Sequence, residues 1–468
     1  MLVLARRLGT SAMGVFFTLF AISAVIHWIA DAGTTTVLTR RVARGTDNLR
    51  AIVAESMGML PLVASASVLL FLATAAVWMQ LSTGAVPWVV LAYAAAAKVT
   101  RHALDFAANI FRGIERFEFE NLARVAQSVS FCVMVCVLVN EQSVLDAFWV
   151  YLLSNLLGVG IIWLLLLSRA RFPAPRLSLR RARAWIAEGA PLGLGDVVRQ
   201  LLLQLDTLML AALRAPTAVG LFSVAARPLQ PLQLVPRTLV SVTFPMMSRS
   251  GHTDREPISR LFAQSTNLLW VAALPISILI GFVAEPLILV TAGSEYVAAA
   301  GPLRLLIWAT VLVFVNAQLR FVLTAIDAEA TYSRLILRVL MFKVAINLAL
   351  IPLLGVYGAC LGNLLGEACL CLAGLYKLAQ ENITGPAITQ LLRALPAAAG
   401  MAITMACFTP NDSPAWLLLG GLASMAVYAS AALLFGALPR ELVARLWRAL
   451  IGPRGQTPTL KTTPGVTG

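Results

Sequence analysis

The polar residues of the apolar segment 86–110 recur at helical spacing. At i, i+3, i+4, i+7 and i+11 stand Lys98, Arg101, His102, Asp105 and Asn109. This spacing keeps them within about 100° of one helix face. A charge at mid-bilayer costs ~2.5–3.5 kcal/mol, so three charges facing lipid would cost roughly 9 kcal/mol. We therefore expect the stripe to face a protein interior or a water-filled cavity, where its cations could bind an anion.

Similar polar faces occur in other apolar segments. The further cations that could contact an anionic ligand are Arg199 in 191–213, Arg227 and Arg237 in 218–247, Arg320 in 303–326 and Lys343 in 335–354. The carboxylates are Asp31 in 13–38, Asp196 and Asp206 in 191–213, and Glu367 in 356–378. Three prolines interrupt the segment 218–247, which is tolerated where a broken helix lines a cavity or packs on its neighbours.

Cations outnumber carboxylates at membrane depth, which favours an anionic substrate. The candidate binding cations are Lys98, Arg101, Arg199, Arg227, Arg237, Arg320 and Lys343. The candidates for coupling or charge balance are Asp31, Asp105, Asp196, Asp206 and Glu367. The guanidinium fork of arginine suits phosphate best. The alternative is that the stripes are structural ion pairs, since Arg101–Asp105 and Asp196–Arg199 have suitable helical spacing.

The elements that carry these residues are membrane-spanning helices. Only 12% of the 468 residues are charged, 59% are hydrophobic, and the mean hydropathy is +0.83. Soluble domains are about 25% charged. Apolar runs long enough to span a bilayer recur throughout, and they predict an all-α polytopic membrane protein of about 13 helices. The segments are 13–38, 52–79, 86–110, 121–139, 144–167, 191–213, 218–247, 261–284, 303–326, 335–354, 356–378, 391–409 and 414–438.

The net charge of +14 reflects membrane orientation rather than nucleic-acid binding, because the arginines lie between the apolar segments. Alternate loops are rich in Arg and Lys, around 40–50, 112–124, 169–183, 249–260, 334–338, 377–393 and 440–461. The intervening loops carry only Arg6, Arg7, Arg214 and Arg304. The positive-inside rule predicts that the basic set and the C-terminus are cytoplasmic.

A weak internal repeat predicts two helical lobes in the same orientation. The block 5–16 matches 211–222 at a constant offset, with identical pairs at Ala12/Ala218, Gly14/Gly220 and Phe16/Phe222. Parallel repeats are typical of transporters, with the binding site between the halves. The predicted organisation is an N-terminal lobe 1–168, a basic cytoplasmic linker 169–190, a C-terminal lobe 191–380, a last helix pair 381–452 and a disordered cytoplasmic tail 453–468. The linker could be a solvated hinge, or could lie on the inner leaflet with Trp185 at the interface.

No constellation for catalysis or for a metal or cofactor is visible in the sequence. The three histidines, His27, His102 and His252, are dispersed, and there is no G-x-S-x-G motif or phosphate-binding loop. The six cysteines lie in apolar segments and are interpreted as small apolar side chains. We therefore expect a protein that is not an enzyme. Gly358, Gly362 and Gly366 have small-xxx-small spacing, which predicts close helix packing.

Four blocks of the sequence resemble one family. The block Leu4–Phe17 (LARRLGTSAMGVFF) resembles the A-R-x-L-G block of polysaccharide flippases of the Wzx type. The block Ala30–Gly33 followed by Arg40–Arg44 resembles their next block, and Ala190–Asp206 the start of their second half. Gly293–Tyr296 looks like their G-x-x-Y segment. In that family a complete helix precedes the first block, so the resemblance implies that the first helix is here mostly missing.

The resemblance implies a member of the multidrug/oligosaccharidyl-lipid/polysaccharide exporter superfamily, with two six-helix lobes and an additional C-terminal helix pair. Its implied function is to move lipid-linked oligosaccharide on undecaprenyl diphosphate across the inner membrane for surface polysaccharide such as O-antigen or exopolysaccharide. The implied partners are the lipid-linked oligosaccharide, membrane lipids, and a polymerase and glycosyltransferases of the same pathway. Two alternatives remain open: a drug or cation antiporter of the same superfamily, and a membrane enzyme of polysaccharide assembly.

Overall fold

The computed structural model describes residues 1–45, 49–81, 86–140, 143–169, 178–250, 255–383, 388–408 and 414–437, and these residues form helices joined by short turns. The first half contains α1 (Leu2–Asp31), α2 (Thr34–Arg44), α3 (Leu49–Leu81), α4 (Trp88–Gly113), α5 (Phe117–Leu138) and α6 (Val144–Arg169). The second half contains α7 (Leu179–Leu213), α8 (Pro216–Ala226), α9 (Leu234–Ser250), α10 (Glu256–Phe282), α11 (Ala284–Thr291), α12 (Ala300–Ala325), α13 (Glu329–Leu354) and α14 (Val356–Gln380). The last pair is α15 (Ile388–Phe408) and α16 (Pro414–Leu434).

Helical spans are the expected solution because a bilayer offers no hydrogen-bond partner to an unpaired backbone group. Within the described residues, nine helical stretches are long and apolar enough to cross a membrane. They lie in α1, α3, α5, α6, α10, α12, α13, α14 and α16. The helices α4 and α7 are also long enough to cross a membrane, but they carry the charged residues discussed above. The chain is therefore a multi-pass membrane protein.

Two predicted segments are divided in the structure. The segment 13–38 was expected to be one span, but α1 ends at Asp31, where Ala32 and Gly33 adopt left-handed conformations with φ of 47° and 77°. This turn starts α2. The segment 218–247 is interrupted by two short 3-10 turns, Arg227–Leu229 and Pro231–Gln233, because its prolines lack the N–H that a continuous helix needs.

The two halves repeat one packing order. In the first half α4 packs on α3 and α6, and α5 packs on α6. In the second half α12 packs on α10 and α14, and α13 packs on α14. The helices α15 and α16 pack together, and both contact α10, mainly through α15. The prediction of two pseudo-symmetric helical lobes plus a C-terminal helix pair is confirmed.

The internal repeat lies where the halves meet, at the crossing of α1 and α8. A Cβ atom on Gly14 would stand 1.7 Å from the carbonyl oxygen of Pro216. A Cβ atom on Gly220 would stand 2.1 Å from the carbonyl oxygen of Thr10. Gly14 and Gly220 are equivalent positions of the repeat, as are Thr10 and Pro216. The contact is therefore reciprocal, as expected of two equivalent surfaces related by a pseudo-two-fold axis.

The basic linker is helical in its described part, because α7 begins at Leu179. Trp185 is only 1% exposed, so its ring packs among helices and not against lipid headgroups. Its indole Nε1 donates to Glu55 Oε2 (3.2 Å) on α3, and the guanidinium of Arg41 lies 4.4 Å from its ring centroid. These contacts join α7 to the first half. Residues 170–177 of the predicted linker 169–190 and the whole predicted tail 453–468 lie outside the described residues.

The glycine stripe of α14 packs closely on α13, as its spacing predicts. A Cβ atom on Gly358 would stand 2.3 Å from the carbonyl oxygen of Leu350, and one on Gly362 would stand 1.8 Å from Asn347 Oδ1. Only glycine permits this approach of the two helices. The stripe thereby brings polar residues of α13 and α14 together.

Candidate functional site

A cavity of about 240 Å³ lies between the halves and carries the polar side chains of four helices. We call it the central cavity. Its walls come from α1, α4 and α6 of the first half and from α7 of the second half. They consist of Phe20, Ser23, Ala24, His27, Trp28, Lys98, Arg101, Tyr151, Gln200 and Gln204.

The two cations of the central cavity come from the stripe on α4. Lys98 is 2% exposed, and its ammonium donates to the backbone carbonyl of Ser23. Arg101 lies one turn further along and donates from Nε to Asp105 Oδ2 (2.8 Å). His102, Asp105 and Asn109 of the stripe are also buried. The expectation that this stripe faces the interior is confirmed.

Arg101 belongs to a network of arginines and carboxylates. Asp105 accepts hydrogen bonds from Arg101 and from Arg124 Nη2 (2.8 Å) on α5. Glu120 accepts from Arg124 Nε (2.8 Å) and from Arg112. The group contains two carboxylates, Asp105 and Glu120, and four cations, which are Lys98, Arg101, Arg112 and Arg124. Its net charge is therefore +2. His27 Nε2 lies 3.4 Å from Asp105 Oδ2 and, when protonated, is a third cationic partner of Asp105.

The ion pairs considered in the sequence are both formed. Arg101 pairs with Asp105, and Arg199 Nη2 donates to Asp196 Oδ1 (2.7 Å). Pairing does not withdraw Arg101 from the central cavity, since its side chain lines the wall. The Arg199 guanidinium lies 5.9 Å from the ring centroid of Trp28, which lines the same cavity.

The remaining predicted cations lie apart from the walls of the central cavity. The Arg227 guanidinium lies 4.4 Å from the ring centroid of Phe17 and donates to Gln230 Oε1 (3.1 Å). That of Arg320 lies 5.8 Å from the ring centroid of Phe321, and Arg237 is exposed on α9. Their role in binding stays a prediction.

Lys343 belongs to a separate buried group, the Asp206 cluster, formed by Asp206, Lys343, Asn347 and Asn363. Lys343 Nζ donates to Asp206 Oδ2 at 2.8 Å, and the amides of Asn347 and Asn363 donate to the same carboxylate at 2.8 Å. The side chains of Lys343 and Asp206 are 4% and 3% exposed. The ammonium is thus enclosed within the second half, where it compensates a buried charge.

The other two predicted carboxylates have polar but uncharged hydrogen-bond partners. Glu367 accepts from Asn316 Nδ2 (2.7 Å). Asp31 accepts from the hydroxyl groups of Thr34 and Thr35 and from the backbone of Thr35.

Sequence reasoning missed several contributors to the site, among them Trp28 of the cavity wall. Arg124 was counted among the loop cations, although it reaches Asp105 from α5. Gln204 follows Gln200 at i+4 and therefore shares its face, a spacing that could have been recognised. Tyr151 gave no signal, because an aromatic residue in an apolar helix is ordinarily a packing residue.

The halves also meet at both ends of the central cavity. At one end Gly33 packs against the backbone of Gly189 and Gly193, and Arg41 pairs with Glu188. At the other end Thr10 N donates to Glu295 Oε1 (2.9 Å), and Trp78 Nε1 donates to the carbonyl oxygen of Ala211 (3.0 Å). Contacts therefore join the two halves on both sides of the cavity.

The fold is shared with solved membrane transporters. The lipid II flippase MurJ, in an inward closed conformation, superposes with a TM-score of 0.76, at 14% sequence identity over 96% of either chain. An inward-facing transporter of the multidrug resistance MATE family superposes with a TM-score of 0.70, at 17% identity over 81% of this chain and 92% of that one. These likenesses show that the chain has the same fold as MurJ and as a MATE transporter of the MOP superfamily.

The sequence assigns the family within that fold. The chain belongs to the family of polysaccharide biosynthesis proteins, whose model matches residues 1–250. The probable flippase AglR of Haloferax volcanii is 23% identical to this chain over 356 residues, which cover 73% of this chain and 72% of AglR. The resemblance to polysaccharide flippases seen in the sequence is confirmed.

Proposed function

We propose that this protein flips a lipid-linked oligosaccharide, carried on undecaprenyl diphosphate, across the inner membrane for surface polysaccharide synthesis. Three likenesses support the proposal. The family is one of polysaccharide biosynthesis, a relative is named a probable flippase, and the fold resembles that of a lipid II flippase. Membrane lipids surround the carrier, and a polymerase and glycosyltransferases would act before and after it.

The observation that carries the proposal is the composition of the central cavity. Lys98 and Arg101 place positive charge on one side, and Gln200 and Gln204 face them from the other half. Arginine and lysine bind phosphate by charge-assisted hydrogen bonds, and Arg can do so with two parallel bonds. Amides can donate to and accept from sugar hydroxyl groups. The cavity also presents the ring of Trp28, an apolar surface on which a sugar ring can pack.

The charge of this site disfavours the antiporter alternative. A drug or cation antiporter needs carboxylates that face its cargo, whereas Asp105 is engaged by Arg101 and Arg124. Two uncompensated positive charges would repel a cationic drug.

The central cavity is too small in this structure to hold the whole headgroup. A cavity of about 240 Å³ falls below the ~300–1,000 Å³ of pockets that enclose drug-sized ligands. Loading an oligosaccharide therefore requires the halves to separate at one end. Rocking of two repeats about a fixed midplane site is the usual mechanism of such carriers. The lipid tail would stay in the bilayer while the diphosphate exchanges water for the cavity cations.

Complementation of a flippase-null strain tests the proposal. We expect Arg101→Ala to abolish surface polysaccharide at normal protein levels, and Arg101→Lys to restore it only in part, because a point charge lacks the bidentate fork. Lys98→Ala should reduce export as well. Arg260→Ala is the matched control, since Arg260 forms an i,i+4 pair with Glu256 on an exposed surface; it should leave export unchanged.

A second variant separates binding from structural support. If Arg101 only neutralises Asp105, Arg101→Ala combined with Asp105→Asn should recover export. A binding role predicts no recovery, because the double variant still lacks the phosphate ligand. Full export by Arg101→Ala, or its recovery in the double variant, would refute the assignment of this cavity.

A further inference from the structure

Arg124, near the start of α5, bonds two carboxylates that belong to different helices. Its Nε donates to Glu120 Oε1 (2.8 Å), one turn earlier on α5, and its Nη2 donates to Asp105 Oδ1 (2.8 Å) on α4. The side chains of Glu120 and Asp105 are 6% and 13% exposed. The wall of the central cavity, as far as the described residues form it, does not include Arg124. Any influence of Arg124 on a ligand there must therefore pass through the residues that it holds, or through its charge.

A chain of alternating charges fixes Arg124 between α4 and α5. On α4, Asp105 and Arg112 stand at i and i+7, two helical turns apart on one face. On α5, Glu120 and Arg124 are i,i+4 neighbours. Arg112 Nε donates to Glu120 Oε2 (2.6 Å), so both ends of the chain are anchored on α4. Because each arginine in it faces a carboxylate, Arg124 is held in place before any ligand arrives.

Asp105 uses its two oxygens for two different arginines. Oδ1 accepts from Arg124, and Oδ2 accepts from the Nε of Arg101 (2.8 Å), one turn earlier on α4. The torsion that turns a carboxylate about its own bond has broad minima, so a carboxylate with one partner is loosely oriented. The bond from a neighbouring helix to Oδ1 restricts this rotation. It thereby fixes the direction in which Oδ2 receives Arg101.

The guanidinium of Arg101 is held by one edge. Asp105 accepts the single hydrogen of Nε, and within the part of the chain that the structure describes Nη1 and Nη2 form no hydrogen bond. The side chain is 39% exposed and lines the central cavity. The hydrogens of the two Nη atoms thus form a free terminal edge, the planar fork that can bind two oxygens of a phosphate by parallel bonds.

We propose that Arg124 is a positioning residue for the diphosphate. With Glu120 it holds Asp105, and Asp105 holds Arg101 so that its terminal edge is presented to the ligand. The inference rests on the proposed function, and it adds residues that do not touch the ligand. Its physical basis is preorganisation, because a side chain already held in its binding orientation loses less rotamer entropy when the ligand binds.

A role of Arg124 through its charge alone makes different predictions. Arg124→Lys keeps the positive charge but replaces two donor atoms at fixed separation by one ammonium, so the field is preserved and the bridge is lost. Glu120→Gln removes a negative charge near the cavity, which by charge alone should strengthen the binding of an anion. It also turns a charge-assisted anchor of Arg124 into a weaker neutral one. Positioning therefore predicts weaker binding in both variants.

Titration of undecaprenyl diphosphate into the purified full chain in detergent measures these effects. We expect Arg124→Lys and Glu120→Gln each to raise the Kd by about 2- to 10-fold, the effect of ordering one rotamer-rich side chain. Arg116→Lys, at an exposed ion pair with Glu118 beside the start of α5, is the matched control and should bind as wild type. An unchanged Kd in Arg124→Lys, or a lower Kd in Glu120→Gln, would overturn the positioning role.

A double variant shows whether the effect passes through Arg101. Arg101→Lys lacks the Nε atom that Asp105 binds, while the point charge of lysine keeps some affinity for phosphate. If Arg124 acts through Arg101, adding Arg124→Lys to Arg101→Lys should raise the Kd no further. Additive losses of affinity would assign to Arg124 a general structural role instead.

Nuclear magnetic resonance of isotope-labelled arginine side chains tests the geometry without a ligand. The Nε–H signal of Arg101, identified by its loss in Arg101→Lys, should exchange slowly with solvent in the wild type and in Arg116→Lys. It should exchange markedly faster in Arg124→Lys and Glu120→Gln. Equal exchange in these four proteins would overturn the inference even where the affinity changes. If the wild type shows slow exchange at Arg101 but does not bind undecaprenyl diphosphate, the result contradicts the proposed function while it supports the hold of Asp105 on Arg101.

Discussion

Single residues in this protein separate into those that face the central cavity and those that compensate buried charge. Arg101 does both, because one guanidinium edge binds Asp105 while the side chain lines the wall. Lys343 lies wholly within the second half, bonded to Asp206. A helix-face argument cannot tell these two environments apart, since both residues occupy the interior side of an amphipathic helix.

The Asp206 cluster predicts a specific pattern of stability. Lys343→Met leaves the Asp206 carboxylate buried and uncompensated, which should cost about 3–5 kcal/mol and lower the unfolding temperature markedly. Adding Asp206→Asn should recover most of the loss, because the uncompensated charge is then gone. Unfolding of the purified single and double variants in detergent measures the coupling between the two residues. Additive losses in the double variant would show that the pair does not act as a unit.

At the scale of elements, the helices that join the halves depend on glycine. At Gly9 the backbone of α1 leaves the helical conformation with φ of 69°, which glycine adopts without strain. The freed N–H of Thr10 then bonds Glu295 across the halves. The block 4–17 and the segment 293–296, which resemble flippase motifs, therefore contact each other. The blocks 30–33 and 190–206 likewise meet at Gly33 and Gly193.

The α1–α8 crossing predicts opposite effects for glycine substitutions. Gly14→Ala and Gly220→Ala should lower the unfolding temperature and reduce export, because each new methyl group overlaps a backbone carbonyl of the other helix. Gly281→Ala in α10 and Gly160→Ala in α6 meet open space. They should be neutral or stabilising by about 0.5–1 kcal/mol, since alanine favours helix. Equal effects at all four positions would argue against a close crossing.

For the molecule as a whole, the charge of the loops predicts the orientation in the membrane. Alkaline phosphatase fused within 140–143 or 409–414 should be active, because these loops are expected in the periplasm. Fusions after Arg183 or at the C-terminus should be inactive, because basic segments are retained in the cytoplasm. Activity after Arg183 would contradict this orientation.

The sequence by itself determined the class and the architecture. Long apolar segments specify spanning helices because the bilayer leaves the backbone no other partner, and the spacing of Lys98, Arg101 and His102 specifies one interior face. The repeat around Gly14 and Gly220 already indicated two equivalent halves. These features are local, so periodicity along the chain is enough to recognise them.

Only the tertiary structure decided what each interior side chain faces. Arg124 reaches Asp105 from a neighbouring helix, Lys343 bonds Asp206, which is 137 residues away in the sequence, and Trp185 of the second half bonds Glu55 of the first half. Burial also changes the meaning of a residue: Trp185 has the sequence context of an interfacial tryptophan but packs inside. Helical periodicity gives the direction of a side chain about the axis of its own helix. Contacts between side chains depend on how separate helices pack, and that arrangement follows from the packing of the whole chain.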